Sequence, residues 1–324
     1  MTKPKAKVVM LEPGYSDYVS EKAALAEFDL DFVVVSRDAS DEERIAAARD
    51  ADIVMLRDRL LDADMLDKLE NAKGVVRYGV GYNNIDFNHA ASRKIPVCNV
   101  PDYGADAVAE FAVGLMFAAN RMIVSRDKLV RNGAWDISES QPVRLLVGKT
   151  LGIVSFGRIA RHFKQKTDGI GFKEVLVHDP YLSDEDAARY GVRNVDMDTL
   201  CKECDIISMH APLTDDTYHI LNAERIAMMK PNSVVVNTGR GGLIDEDALY
   251  DALKARRIFA AGIDVFEVEP AIKDHKLFEL DNVVVADHTA WYTVESLEEL
   301  QTKAGLEAVR MLKGEEPKSW INRW

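Results

Sequence analysis

The 324-residue chain is 47% hydrophobic and 29% charged, ordinary globular usage in a length that suits two domains with separate cores. Its formal net charge of -13 disfavours nonspecific attachment to nucleic acid or to anionic membrane surfaces, both of which reward basic patches. A small anionic ligand would have to be met by individually placed arginines.

The N-terminal segment MTKPKAKVVMLEPG carries lysines but an apolar run too short for the core of a signal peptide. The apolar stretch from Ala105 to Ala119 contains Asp106 and Glu110, so no membrane span is expected. Three cysteines, Cys98, Cys201 and Cys204, suit a reducing compartment and a cytoplasmic location. Cys201-Lys-Glu-Cys204 has redox-motif spacing, but it precedes a strand and reads as a helix end. The seven histidines do not cluster with acids or cysteines at ligand spacing, so no metal is expected.

Before residue 101, Val- and Ile-rich runs alternate with helical stretches: KVVMLEP, DFVVVS, DIVMLR, GVVRYGV and IPVCNV. A second series follows as LGIVSFG, EVLVHDP, DIISMHA, SVVVNTG, AAGIDVF and NVVVADH. Five strands and then six predict an α/β fold of two doubly wound parallel-sheet domains. The seam falls at Val100-Pro101-Asp102-Tyr103-Gly104. One long helical segment then runs from Asp106 to Gly133, apolar around much of its circumference at Val108, Phe111, Ala112, Leu115, Met116 and Ala119. It packs either within its own domain or against a second subunit. Val294 to Lys313 makes an amphipathic helix expected to close the first domain. The expected division is therefore residues 1–100 with 294–324, and residues 101–293.

The stretch Thr150 to Phe163, TLGIVSFGRIARHF, carries a strand into a helix through Ser155, Gly157 and Ala160, where a dinucleotide-binding Rossmann turn usually has three glycines. Gly157 lets a pyrophosphate approach the backbone, and Ala160 still permits close helix packing. Ser155 is the departure: a positive φ there would cost about 1 to 2 kcal/mol, too little to abolish a site built on backbone N–H groups and a helix N-terminus. Asp179, 22 residues beyond Gly157, ends the next strand where a carboxylate would bind ribose hydroxyls. The acidic surroundings, DPYLSDEDAARYG, favour NAD over NADP. The adjoining Arg158 and Ile159 are counted with this site.

Three later segments end strands of the second series: VVVNTGRGGLIDEDAL with Arg240, AAGIDVFEVEP with Asp264 and Glu269, and VVVADHTAWYT with His288. Together with YGVGYNNID and HAPLTDDTYHIL, these stretches resemble the NAD-dependent D-2-hydroxyacid dehydrogenases over nearly the whole chain. The HTAWY ending resembles the branch of the C-terminal-binding protein corepressors, and phosphoglycerate dehydrogenases are related. The resemblance implies a flavodoxin-like substrate domain, a Rossmann NAD-binding domain, an active site in the cleft between them, and a homodimer formed through the long helix. It also implies that Asp264 bonds the nicotinamide carboxamide and that Ala211, Pro212, Thr217, Thr238 and Gly239 line the cofactor pockets.

The chemistry calls for the same residue types. Reduction of a 2-keto acid moves a hydride from nicotinamide to the carbonyl carbon while its oxygen gathers charge and takes a proton. His288 suits the donor, Glu269 favours its charged form and fixes its orientation, and Arg240 offers a planar fork to the substrate carboxylate. Backbone N–H groups of Val80 and Gly81 would hold the carboxylate's other side. Arg57 and Arg59 either reach a second substrate anion or simply pair with Asp58 and Asp62. Trp291 either walls the pocket or packs between domains.

Each residue also has a plainer reading: a strand-end histidine, a surface arginine, a turn at Glu269-Pro270 and a strand cap at Asp264. Asp287 stands where the family usually has proline, and it either faces His288 or points to solvent. The competing function is an NADH-responsive interaction protein like the corepressors. A phosphite- or formate-oxidising relative shares the scaffold, although formate dehydrogenases place Gln where Glu269 stands.

Overall fold

The computed structural model describes residues 3–135 and 143–324, which form two compact units, residues 1–104 with 293–324 and residues 105–292. Unit 1 begins β1 (Lys5–Met10), α1 (Val19–Ala24), β2 (Asp29–Val34), α2 (Asp41–Ala48), β3 (Ile53–Leu56) and α3 (Ala63–Asp67). It continues β4 (Gly74–Arg77), α4 (Phe87–Ser92) and β5 (Val97–Cys98). Unit 2 runs α5 (Ala105–Asn120), α6 (Ile123–Arg131), β6 (Thr150–Val154), α7 (Arg158–Thr167), β7 (Glu174–His178), α8 (Asp184–Tyr190) and β8 (Arg193–Asn194). Then come α9 (Met197–Glu203), β9 (Ile206–Met209), α10 (Ala223–Met228), β10 (Val234–Asn237), α11 (Glu246–Lys254), β11 (Ala260–Ile263) and β12 (Val283–Val285). The chain returns to unit 1 with α12 (Val294–Leu312).

The unit 1 sheet is parallel in the order β2-β1-β3-β4-β5, a flavodoxin-like arrangement. Val9, Val54, Val75 and Val97 lie buried on one core, which explains why these strands read as continuous apolar runs. Helix α12 packs on α1, where a Cβ on Gly305 would lie 2.9 Å from that of Ala24. Its N-terminus is a capping box of Thr293 and Ser296.

The unit 2 sheet is also parallel, ordered β12-β11-β10-β9-β6-β7-β8, with seven strands where the sequence suggested six. The extra strand, Arg193–Asn194, is two exposed polar residues and carries no apolar signal. The strand order reverses between β6 and β9, and in open parallel sheets the crevice outside that switch point takes the ligand. The long helix expected after residue 104 is two helices, bent by 59° at a break where Met122 has φ 53. No Gly or Pro marks that break. Helix α5 buries Val108, Ala112, Leu115 and Met116 within unit 2, whereas α6 buries nothing and exposes Ile123, Leu129 and Val130. Among the described residues no single helix is long and apolar enough to cross a membrane.

Cys201 and Cys204 are buried free thiols at the end of α9; burial pushes the Cys201 thiol up to about 12 and Cys204 higher still, so neither is a nucleophile. His210 is a core histidine that burial pushes down to about 3, with its Nε2 2.9 Å from Ser208 Oγ.

Candidate active site

At the switch point β6 turns through Ser155, Phe156 and Gly157 into α7. Ser155 has φ 68, in the left-handed region that glycine occupies more cheaply. Gly157 is the N-cap of α7, and no side chain caps the first-turn N–H groups. Arg158 opens the helix exposed, Ile159 is partly buried, and Ala160 is fully buried against the sheet. Asp179 ties the turn together: its Oδ2 accepts the Phe156 N–H at 2.7 Å and its Oδ1 the Tyr181 N–H at 2.8 Å. A carboxylate has about four lone-pair sites, so acceptor capacity remains.

Beyond β9, Ala211 is buried and Pro212 exposed, and the Thr217 hydroxyl donates to Pro212 O at 2.7 Å to close the loop. After β10, Asn237 braces the next turn: its Oδ1 accepts the Gly239 N–H at 3.0 Å, and its Nδ2 donates to Arg240 O at 2.9 Å. Sequence reasoning missed Asn237, whose only signal was its place at a strand end. Gly239 sits close to Leu243 and the Ala211 carbonyl. Thr238 is buried, and its hydroxyl has no hydrogen-bond partner among the described residues.

The three candidate catalytic side chains come together within unit 2. Glu269 Oε2 lies 2.6 Å from His288 Nδ1, and Glu269 Oε1 accepts the Phe266 N–H at 3.0 Å. Burial pushes the Glu269 carboxyl up, but the His288 hydrogen bond and charge, the Phe266 N–H and the nearby Arg240 charge outweigh it and hold Glu269 below the usual carboxylate value. The His288 side chain is 41% exposed, so its other ring nitrogen can meet a ligand. His288 has φ 58, a conformation uncommon outside glycine. It is held there because its N–H donates to Asp264 O at 2.8 Å, while the Asp264 carboxylate accepts the Thr289 and Ala290 N–H groups at 2.9 and 3.1 Å. Asp264 is fully buried, and burial raises its carboxyl against the lowering pull of those two N–H groups and of His288. The Asp264 carboxylate thus braces the backbone around His288.

Asp287 is exposed and accepts the Thr289 hydroxyl at 3.1 Å. The Trp291 ring packs edge-on against Tyr292, with centroids 5.5 Å apart. In unit 1, Arg57 pairs with Asp58, and Arg59 pairs with Asp41 rather than Asp62, which caps α3 instead. Glu12 Oε1 accepts the N–H groups of Arg57, Asp58 and Arg59 and fixes that loop. Val80 is exposed next to the half-buried Gly81, and its carbonyl accepts Asn99 Nδ2 at 2.6 Å.

Residues 113–290 match the family model of the D-isomer specific 2-hydroxyacid dehydrogenase NAD binding domain, more than half of the chain. The chain belongs to the D-isomer specific 2-hydroxyacid dehydrogenases. It is therefore a member of a family of NAD-dependent oxidoreductases acting on 2-hydroxy acids. The glyoxylate reductase of Thermococcus litoralis is 39% identical over 85% of this chain and 84% of its own length. The D-3-phosphoglycerate dehydrogenase of Methanocaldococcus jannaschii is 37% identical over 98% of this chain, which spans only 59% of that protein. Among solved structures, D-lactate dehydrogenase from Aquifex aeolicus, complexed with NAD and lactic acid, superposes with a TM-score of 0.85 at 26% identity, covering 98% of this chain and 99% of that one.

Two features of this NAD-binding domain suit such a cofactor. Among the described residues a Cβ built on Gly157 would meet nothing within 4 Å, and its φ of -73 is ordinary, so none of them calls for glycine there. The unpartnered Thr238 hydroxyl is a buried polar group whose desolvation a ligand would offset.

Proposed function

We propose that the protein reduces a small 2-keto acid to the D-2-hydroxy acid, with His288 as general acid/base, Glu269 as its partner and Arg240 as substrate anchor. NAD, when bound in its reduced form, supplies the hydride. The observation that carries the reading is the 2.6 Å contact between Glu269 and His288 Nδ1, which leaves the far side of a half-exposed imidazole for the substrate oxygen. Glu269, ionised beside the ring, favours the imidazolium that can protonate the carbonyl oxygen. Arg240 supports the reading by presenting a guanidinium on the braced turn after β10, close enough for its charge to act on Glu269. In this reading Ser155, Gly157, Arg158, Ile159 and Asp179 receive the adenosine and pyrophosphate. Ala211, Pro212, Thr217, Thr238 and Gly239 line the remaining pocket, and Asp264 acts mainly by fixing His288.

The names of the relatives put glyoxylate first in a panel with pyruvate, hydroxypyruvate and its 3-phosphate. Loss of nicotinamide absorbance with NADH and each acid tests the activity. His288→Ala is expected to lower kcat by about 10²–10⁴-fold with NADH binding nearly intact. Turnover unchanged in that variant removes the mechanism. We also infer a homodimer through α5 and α6, since α6 leaves Ile123, Leu129 and Val130 exposed. A monomeric mass by light scattering would refute it.

A further inference from the structure

We propose that His219 is a positioning residue for this reaction, holding the Arg240 loop and the Glu269 loop together through a cluster with Glu267, Glu246 and His275. The inference rests on the function proposed above. His219 touches both loops: its backbone N–H donates to Gly242 O at 2.8 Å, and its side-chain Nε2 lies 2.9 Å from Glu267 Oε1, the contact that substitution removes. It does so at φ 49, which non-glycine residues seldom adopt, with its ring stacked on Tyr218 at 3.9 Å.

Glu267 follows Phe266, whose N–H holds Glu269 Oε1. The two glutamates of the cluster cap each other's backbone: Glu267 Oε1 accepts the Glu246 N–H at 3.2 Å and Glu246 Oε1 the Glu267 N–H at 2.8 Å. Two adjacent carboxylates repel unless donors or cations face them. His219 faces one, and His275, with Nε2 3.1 Å from Glu246 Oε2, faces the other. Lys276 pairs with Asp247 outside the cluster. The His275 ring also packs on the Phe266 ring, with centroids 5.2 Å apart.

At Gly241 the two loops meet backbone to backbone, since a Cβ there would lie 1.8 Å from the Phe266 carbonyl carbon. Glu269 thus takes its position from the Phe266–Glu267 segment, whose backbone is held by Glu246 at the Glu267 N–H and whose Glu267 carboxylate is held by the His219 ring. Catalytic geometry tolerates only fractions of an ångström, so loosening this clamp would draw Glu269 away from His288.

The test is steady-state kinetics across pH with NADH and whichever 2-keto acid of the panel turns over fastest. The proteins compared are the unmodified one, His219→Ala, His219→Gln, Glu267→Gln and His288→Ala. His219→Ala is expected to lower kcat about tenfold with KM for NADH changed less than about twofold. Its alkaline limb should move to lower pH, because Glu269 drawn away from His288 Nδ1 leaves the imidazolium without its carboxylate partner. His219→Gln keeps a donor toward Glu267 and should recover most of both effects. An unmoved limb with unchanged kcat in His219→Ala overturns the inference, as does a Gln variant no better than Ala. If His219→Ala does not fold, Glu267→Gln, similar in shape but a weaker acceptor, is judged by the same shift. Turnover retained in His288→Ala defeats the underlying function; an inactive His288→Ala beside an unaltered His219→Ala defeats this inference alone.

Discussion

Glu21 in unit 1 and Glu269 in unit 2 both lose some of their access to water, and the two carboxylates end in opposite states. Glu21 in unit 1 is fully buried, and its oxygens accept the Tyr78 hydroxyl at 2.8 Å and Gln301 Nε2 at 3.2 Å. Burial pushes its carboxyl above the ordinary value, and those neutral donors only moderate the rise. Glu269 in unit 2 is less buried, its side chain 35% exposed, and an imidazole and a guanidinium outweigh what burial it has and hold the carboxyl below the ordinary value. The difference separates architecture from chemistry. Burial with neutral partners makes a carboxylate part of a core, whereas a carboxylate kept ionised against a titratable base and a fixed cation can serve proton transfer.

The comparison breaks most decisively at Gly241, which sets the Arg240 turn against the Glu269 loop. Gly241→Ala is expected to cost about 3 kcal/mol or more in stability, because the clash is with backbone that cannot rotate away, and to lower kcat at least as much as His219→Ala. Denaturant melts beside kinetics check it, and near-normal values in both would mean that the loops do not need each other. Glu21→Gln sharpens the other side. A raised carboxyl means the folded state holds its proton longer, so Glu21 lowers stability progressively as pH rises from the ordinary value near 4.5 through its folded value. Glu269 has the opposite sign: its contribution is complete above the ordinary value and is lost as pH falls through its depressed one. The stability of the unmodified protein should therefore fall relative to Glu21→Gln over the first window, by at most about 1.4 kcal/mol per pH unit for one proton. Parallel stability curves would show that Glu21 is not held as described.

Much of this architecture was legible because it is written in adjacent residues. Runs such as VVVN and IVML are buried on both faces of parallel sheets, so the strands of both units stood out as apolar blocks. The Ser155-to-Ala160 turn and the segments holding Arg240, Glu269 and His288 were legible as candidates because each joins a strand end to its following loop in adjacent residues. What was not legible depends on distance. His219, Glu246, Glu267 and His275 follow three different strands and meet only after two crossovers, and no spacing links them. The choice of Asp41 over Asp62 as partner of Arg59 is likewise tertiary, since Asp62 is already engaged as the cap of α3. The break at Met122, with its 59° bend, escaped because helix propensity runs through it and no Gly or Pro marks it.

The smallest expected effect tests the cofactor turn itself. Ser155 sits at φ 68, where a Cβ costs about 1 to 2 kcal/mol, and glycine would relieve that strain. Glycine also gains about 0.5–1 kcal/mol of unfolded-state entropy, which works against folding. Ser155→Gly should therefore be within about 1 kcal/mol of neutral in stability, on the stabilising side. It also removes the Ser155 hydroxyl from Asp179, a contact of 3.5 Å that is at the limit of a hydrogen bond and contributes little. If the serine is merely tolerated, NADH affinity measured by fluorescence titration should stay the same or improve by a fewfold. A marked loss of affinity would instead give the hydroxyl a part in holding the dinucleotide, and the departure from glycine would then be a feature of this site.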